Sequence, residues 1–149
     1  MAIVWFQGGI EDEHNGDLAG SPDLRGLLTM GGTTCDTEDA VNLADFTSID
    51  EFDGVNYVRI DFANVADAYD AATRKMHITA DNGDCGTDVA PGSDPISGML
   101  ILRHVDGTEA NDRALCWTDE GGLAGVNASN GALNVTLTDG ILLTLGGAA

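Results

Sequence analysis

Three histidines and three cysteines are the residues of this chain best suited to metal binding or nucleophilic chemistry. Among them, His77, His104 and Cys116 are of types that bind zinc, but they lie on separate predicted strands without the close spacing of zinc motifs. This spacing favours hydrogen-bonded or exposed histidines over metal ligands. The odd number of cysteines (Cys35, Cys85 and Cys116), with no C-x-x-C pair, favours reduced and buried thiols over a disulfide framework.

Acidic residues are the other candidates for chemistry, since the chain contains 25 of them. The segment Asp81–Asp88 (DNGDCGTD) has a superficial likeness to a calcium loop, but it lacks the D-x-[DN]-x-[DN]-G order and a closing glutamate. No carboxylate pair is singled out for acid/base catalysis, and no nucleophile elbow, phosphate-binding loop or dinucleotide fingerprint occurs. We therefore predict no enzyme activity, no metal site and no cofactor. An acidic-surface hydrolase is the least favoured function.

The charge balance restricts the partners of the chain. Its net charge of −19 opposes binding to nucleic acid, because that affinity depends on lysines and arginines that neutralise phosphates. The same charge opposes binding to anionic membranes, and no apolar run is long enough for a membrane span or a signal-peptide core. A strongly acidic surface favours solubility, and the cysteine pattern favours assembly in the cytoplasm.

Alternating apolar residues and frequent turn signals predict the elements that position these side chains. The run from Asp23 (DLRGLLTM) predicts the first core strand, and the unbroken run Met99–Leu102 predicts a central strand covered on both faces. The alternation of NYVRIDF predicts a half-buried strand with Val58, Ile60 and Phe62 facing the core. About seven short strands predict a single all-β domain over residues 23–149, an antiparallel β-sandwich of jelly-roll or Ig-like type. At most one short helix is expected, over residues 34–52, which are equally consistent with a structured loop.

The segment Tyr69–Asn82 (YDAATRKMHITADN) contains the only adjacent arginine and lysine of the chain. Its DAAT stretch, Asp70–Thr73, predicts a turn, and the following alternation predicts a strand with Met76 and Ile78 facing the core. The outward side of this hairpin then consists of Arg74, Lys75 and His77. We predict that Arg74 and Lys75 find acidic partners, within the domain or on a neighbouring subunit, and we include both in a candidate partner interface.

Residues 1–22 predict an extended N-terminal arm. Its apolar tip (Ile3, Val4, Trp5 and Phe6) is followed by Gly8-Gly9 and an acidic polar stretch. Two interpretations stay open for this tip: it packs on its own domain, or it binds a neighbouring subunit. The four apolar residues complete the candidate partner interface.

The order of segments resembles a group of small virion structural proteins of tailed bacteriophages. The stretches LRGLLTM, YDAATRKMHITADN, GMLILRHV and NVTLTDGILLTL follow one another as in that group, over about Asp23–Leu145. The best matches are DAAT at Asp70–Thr73 and GILLTL at Gly140–Leu145. The chain departs from the group where it has FDGVNY in place of GTGY, and where the last strand pair lacks a tryptophan.

This resemblance implies a structural role on the virion, with no catalytic residues. The first expectation is a decoration (cement) protein that binds the outer surface of the capsid, assembled in the host cytoplasm. Its expected partners are the major capsid protein and copies of itself, as a dimer or trimer. A tail or head-fibre component is the nearest alternative. From another class, a secreted sugar- or calcium-binding β module is the competitor, although aromatic residues, at 5%, leave little for stacking on sugars.

Overall fold

Ten β-strands and one α-helix form the fold in residues 3–119 and 124–145, which the computed structural model describes. In chain order they are β1 (Ile3–Trp5), α1 (Gln7–Asn15), β2 (Leu24–Met30), β3 (Ile60–Asp61), β4 (Ala66–Asp70), β5 (Lys75–Thr79), β6 (Gly83–Asp84), β7 (Ile96–Arg103), β8 (Arg113–Thr118), β9 (Asn134–Val135) and β10 (Ile141–Leu145). Single 3-10 turns lie at Cys35–Thr37, Leu43–Asp45, Glu109–Asn111 and Thr138–Gly140. The prediction of a mostly β protein with antiparallel sheets and one short helix is confirmed, although the helix lies outside the predicted segment.

Three antiparallel sheets organise these strands. The largest has five strands in the order β1-β8-β7-β2-β3, the second has the order β10-β5-β4, and β6 pairs with β9. The predicted central strand is β7, which pairs with β8 on one side and β2 on the other. Its residues alternate between two apolar clusters, Met99 and Ile101 in one and Leu100 and Leu102 in the other. Both faces of β7 are therefore covered, as the unbroken apolar run predicts.

The five-stranded sheet lies between two apolar clusters. The larger cluster joins it to the three-stranded sheet, because it combines Leu28 and Ile101 with Ile78 of β5 and Leu143 of β10. The smaller cluster covers the opposite face with Phe6, Cys35, Ala40 and Trp117, among others. Trp117 donates its indole N–H to the Thr29 hydroxyl at 3.0 Å, which satisfies both buried polar groups.

The N-terminal segment is part of this fold, so the prediction of an extended arm is wrong for residues 3–22. Strand β1 pairs with β8, with Val4 opposite Trp117, and Phe6 N–H donates to Leu115 C=O at 3.0 Å. The Phe6 ring is fully buried and packs edge-on against Phe46, with ring centroids 5.0 Å apart. The apolar tip packs on its own domain because β8 would otherwise expose an unpaired edge and an open apolar face.

Two glycines allow helix α1 to approach the sheet backbone closely. A Cβ on Gly8 would lie 2.4 Å from Val41 O, and one on Gly9 would lie 2.4 Å from Leu115 O. Any side chain at these positions would collide with backbone, which cannot move aside easily. Gly8-Gly9 is therefore a packing contact rather than a flexible joint.

A buried carboxylate ties the helix to the ends of two strands. Asp12 is 1% exposed, and it accepts hydrogen bonds from Arg103 Nε at 2.7 Å and from Arg113 Nε at 3.0 Å. Arg103 ends β7 and Arg113 begins β8, so Asp12 holds α1 over the junction of these strands. Glu11 and Asp17 add more exposed contacts to the same two arginines.

Candidate functional site

The β4–β5 hairpin contains the most exposed strand of the described residues, β4. Strand β4 forms the outer edge of the three-stranded sheet, and its residues from Ala66 to Tyr69 are exposed on both faces. Tyr69 lies opposite Met76, and 63% of Tyr69 is accessible to solvent. The hairpin therefore presents an aromatic side chain and a free strand edge, which are features of protein interaction surfaces.

Asp70 organises the turn at the tip of this hairpin. Its carboxylate accepts hydrogen bonds from the Ala72 N–H at 3.0 Å and the Thr73 hydroxyl at 2.6 Å, and His77 Nε2 lies 3.4 Å away. Arg74 closes the turn with a left-handed backbone, at a φ of 58°. This conformation is uncommon for a residue other than glycine, and the bonds to Asp70 hold it in place.

The same hydrogen bonds predict how the turn responds to acid. The Thr73 hydroxyl first, then the Ala72 N–H and His77, lower the pKa of Asp70 below its ordinary value of 3.8. A lowered pKa in the folded state means that the turn gains stability from ionised Asp70 above pH 3.8, and loses it as the pH falls through the folded-state pKa.

We expect the Asp70 carboxyl carbon to titrate with a midpoint below 3.8 in NMR, with the Ala72 and Thr73 amide shifts following that midpoint. The Asp70→Asn variant should remove this transition from both amides. Asp67→Asn, a substitution in the same strand, should leave it in place. A midpoint at or above 3.8 would contradict the assignment of these bonds.

The tip also contains two cations without an ion-pair partner among the described residues. Of the six lysines and arginines, four form ion pairs: Arg25, Arg59, Arg103 and Arg113. The remaining two, Arg74 and Lys75, have no acidic partner within 4.0 Å among the described residues. Sequence reasoning left open whether they pair within the domain. In the described part of a chain with net charge −19, the hairpin tip is thus where free positive charge is concentrated.

The structure separates the two halves of the predicted partner interface. Arg74 and Lys75 lie on the three-stranded sheet, whereas the apolar tip residues lie on β1 and at the start of α1 in the five-stranded sheet. Phe6 is buried in its own domain and is not available to a partner, which corrects that part of the prediction. Val4 and Trp5 are half-buried, and Ile3 remains 50% exposed.

The residues considered for zinc binding occupy unrelated environments. His77 Nδ1 contacts the Thr144 hydroxyl at 3.1 Å, beside the hairpin. His104 accepts the Gly107 N–H at Nε2 and therefore donates from Nδ1 to Asp112, at 2.7 Å. Cys116 is fully buried, and this burial raises the pKa of its thiol to about 12. A search of the described residues finds no group of three or more side chains able to hold a metal ion.

The acidic loop at residues 81–88 uses its carboxylates for internal hydrogen bonds. Asp81 accepts from the Asn64 amide at 2.7 Å, and Asp84 accepts from the Gly86 N–H at 2.9 Å. Gly86 lies at a φ of 119°, which only glycine adopts readily. These contacts describe a tight loop that follows β6.

Tyr69 is the exposed aromatic residue of this hairpin that sequence reasoning missed. The register places it opposite Met76, which the alternation predicts to face the core, so burial is the expectation from pattern alone. It is exposed because the hairpin continues beyond the larger apolar cluster, which contains neither Tyr69 nor Met76. The available sequence signal for its exposure is its position directly before the DAAT turn, Asp70–Thr73.

Comparisons with protein-family models, with curated proteins and with solved structures found no match for this chain. In the described ranges, the helix falls well short of the length and apolar character needed to cross a membrane. The class of the protein must therefore be inferred from the hairpin, the charge distribution and the order of the segments.

Proposed function

We propose that this protein is a structural component of a tailed-phage virion: a decoration protein that binds the outer capsid surface and stabilises it, through an antiparallel β-sandwich domain. The best-matching segments of the resemblance belong to one sheet, which supports the proposal. DAAT forms the turn between β4 and β5, and GILLTL contains β10, which pairs with β5. The tip of this sheet is also where the free cations and the exposed tyrosine lie.

The observation that carries the proposal is the exposed hairpin with Tyr69, Arg74 and Lys75. Tyrosine and arginine are enriched at the centres of protein interfaces, where they contribute much of the binding energy. The rest of the surface is acidic, so the hairpin offers a locally different contact to an acidic patch on the capsid. The net charge of −19 meanwhile keeps the protein soluble and away from DNA.

A sedimentation experiment tests this proposal. Purified protein is mixed with capsids of the virus that encodes it, prepared without this chain, and binding is measured in the pellet. We expect saturable binding of the wild type, and about thirtyfold weaker binding of the Arg74→Gln/Lys75→Gln variant, since each of the two lost contacts removes about 1 kcal/mol. The matched control is Val55→Glu/Val105→Glu, which has the same net charge but alters two exposed residues outside the hairpin.

Three outcomes would redirect the proposal. Equal loss of binding in both variants would assign the effect to net charge rather than to the hairpin. Absence of wild-type binding to capsids, with the chain found in the tail or fibre fraction of purified virions, would favour the tail or head-fibre alternative. A rise in melting temperature with calcium would favour the calcium-binding module.

A further inference from the structure

The outer edges of the two larger sheets differ in charge. The edge strand β3 contains Asp61, and the edge strand β4 contains Asp67 and Asp70. In contrast, the edge strands β1 (IVW) and β10 (ILLTL) contain no charged residue, in a chain where 21% of residues are charged. Proteins normally protect exposed strand edges with charges, proline or bulges, because an open edge pairs with other strands. Strand β1 has only three residues, a shortness that itself limits pairing, but it contains no charge, proline or bulge.

The two uncharged edges border the same apolar cleft. The cleft has a volume of about 260 Å³ and is lined by Ile3 and Trp5 of β1, by Met99 and Ile101 of β7, and by Ile141–Thr144 of β10. Within residues 3–119 and 124–145, neither β1 nor β10 pairs with another strand on its outer side. Asp61 lies on β3, at the opposite edge of the five-stranded sheet from β1, and Asp67 and Asp70 lie on β4, at the opposite edge of the three-stranded sheet from β10.

The hydrogen-bond pattern defines which backbone groups β1 offers. Phe6 donates its N–H to Leu115 of β8, and the pairing continues without a register shift to Val4 opposite Trp117. Backbone groups alternate in direction along a strand, so those of Val4 also point toward β8. The N–H and C=O groups of Ile3 and Trp5 therefore point outward, away from the sheet.

We propose that a second copy of this chain pairs with β1 as an antiparallel strand about a twofold axis at Val4. In this arrangement Ile3 lies opposite Trp5 of the second copy, and each such pair exchanges both backbone hydrogen bonds. The side chains of Ile3 and Trp5 from the second copy then lie over the cleft, because both residues lie on that face of the strand.

The charge distribution selects a second copy as the occupant. A second copy supplies an uncharged β1 strand whose outward backbone groups, on Ile3 and Trp5, match those of the first. The twofold axis then joins two five-stranded sheets edge to edge. Two molecules of net charge −19 repel one another over most approaches. Contact at β1 keeps Asp61 of β3, at the other edge of the same five-stranded sheet, away from the interface. This inference does not depend on a virion role.

Analytical ultracentrifugation of the full chain, from micromolar to submillimolar concentration, tests the pairing. We expect a dimer in the wild type, and at least about tenfold weaker association in Ile3→Lys, since a charge on an edge strand opposes strand addition. The matched control is Ile10→Lys: Ile10 is 58% exposed on α1, against 50% for Ile3, and the substitution gives the same net charge. Thermal melting of both variants establishes that each remains folded.

Disulfide trapping tests the register. Opposite Val4 residues would form a pair without mutual hydrogen bonds, whose Cα atoms lie about 4.5 Å apart, within the range that a disulfide spans. We expect Val4→Cys to form a covalent dimer under mild oxidation and Ile10→Cys to stay monomeric, since Cys35, Cys85 and Cys116 are buried. A monomeric wild type, equal loss of association in Ile3→Lys and Ile10→Lys, or a Val4→Cys dimer that does not crosslink would each overturn the proposal.

Discussion

Replacing Asp12 with alanine should lower the free energy of unfolding by about 3 kcal/mol or more. The substitution removes the shared acceptor of Arg103 and Arg113, whose side chains are only 19% and 20% exposed. Removing one partner of a buried ion pair costs more than the pair contributed, because the remaining charges stay partly desolvated. Helix α1 would also lose its attachment to the ends of β7 and β8.

Urea denaturation of Asp12→Ala and Asp17→Ala measures this effect. Asp17 contacts the same Arg103 at 3.7 Å, but its side chain is 46% exposed, so its loss should cost less than about 1 kcal/mol. For a chain of 149 residues, a loss of 3 kcal/mol corresponds to a melting temperature lower by roughly 10 °C. Similar values for the two variants would show that burial of Asp12 adds little.

Phe6→Ala should destabilise the protein by about 3–5 kcal/mol, the range for deleting a buried phenyl ring. The ring is fully buried, packs edge-on against Phe46, and belongs to the smaller apolar cluster with Leu100 and Trp117. Its removal leaves a cavity under β1 and weakens the attachment of both β1 and α1.

The control for this prediction is Ile10→Ala, which truncates an exposed residue of the same segment and should change stability by less than about 0.5 kcal/mol. Chemical denaturation gives both values. A variant Phe6→Ala as stable as the wild type would restore the view that residues 3–6 form a free arm. A large loss in both variants would assign the effect to α1 rather than to the buried ring.

The strands that sequence reasoning located best are those with long, uninterrupted apolar signals. Strands β2, β7 and β8 lie where the runs LRGLLTM, ISGMLILR and RALCWT predict them. The DAAT turn and strand β5 after it were also predicted, and Ile78 of β5 is buried as expected, whereas β4 before the turn was not predicted. Local pattern is sufficient where one face of a strand meets the core and glycine or aspartate ends it.

The prediction for NYVRIDF was partly wrong. Only Ile60–Asp61 forms a strand, and Val58 is exposed rather than facing the core. Tyr57 turns inward instead, where its hydroxyl accepts the Leu28 N–H at 2.9 Å and its ring packs edge-on against Phe52. A hydrogen bond between residues distant in the chain shifts the phase of the alternation here, and a local pattern contains no information about it.

Helix α1 could not be predicted because its stabilising contacts are distant in sequence. Its residues QGGIEDEHN show no apolar stripe, and two glycines near its start oppose a helix. The structure stabilises it through Asp12 and through close packing on β8, and the arginines involved lie 91 and 101 residues further along the chain. A buried aspartate looks like a solvated one until its partners are known.

For the free cations of the candidate site, as for Asp12, the sequence does not reveal the partners of a charged side chain. Sequence pattern placed Arg74 and Lys75 on the outward side of the hairpin, but it did not reveal whether they were paired. The structure shows that the other four cations of the chain are ion-paired. Arg74 and Lys75 have no ion-pair partner within the part of the chain that the structure describes. The significance of a charge depends on the pairing of all the others, which only the tertiary fold determines.

The pairing of β1 with β8 also sets the order of events during synthesis. The Ile-Val-Trp-Phe segment is synthesised well before its partner strand, which ends at Thr118. At synthesis rates of about 5–20 residues per second, the interval between the two strands is roughly ten seconds. During that interval the apolar residues Ile3–Phe6 lack the strand β8 on which they pack. Most contacts in the described residues are long-range, and a fold of that kind forms more slowly than one built from local contacts.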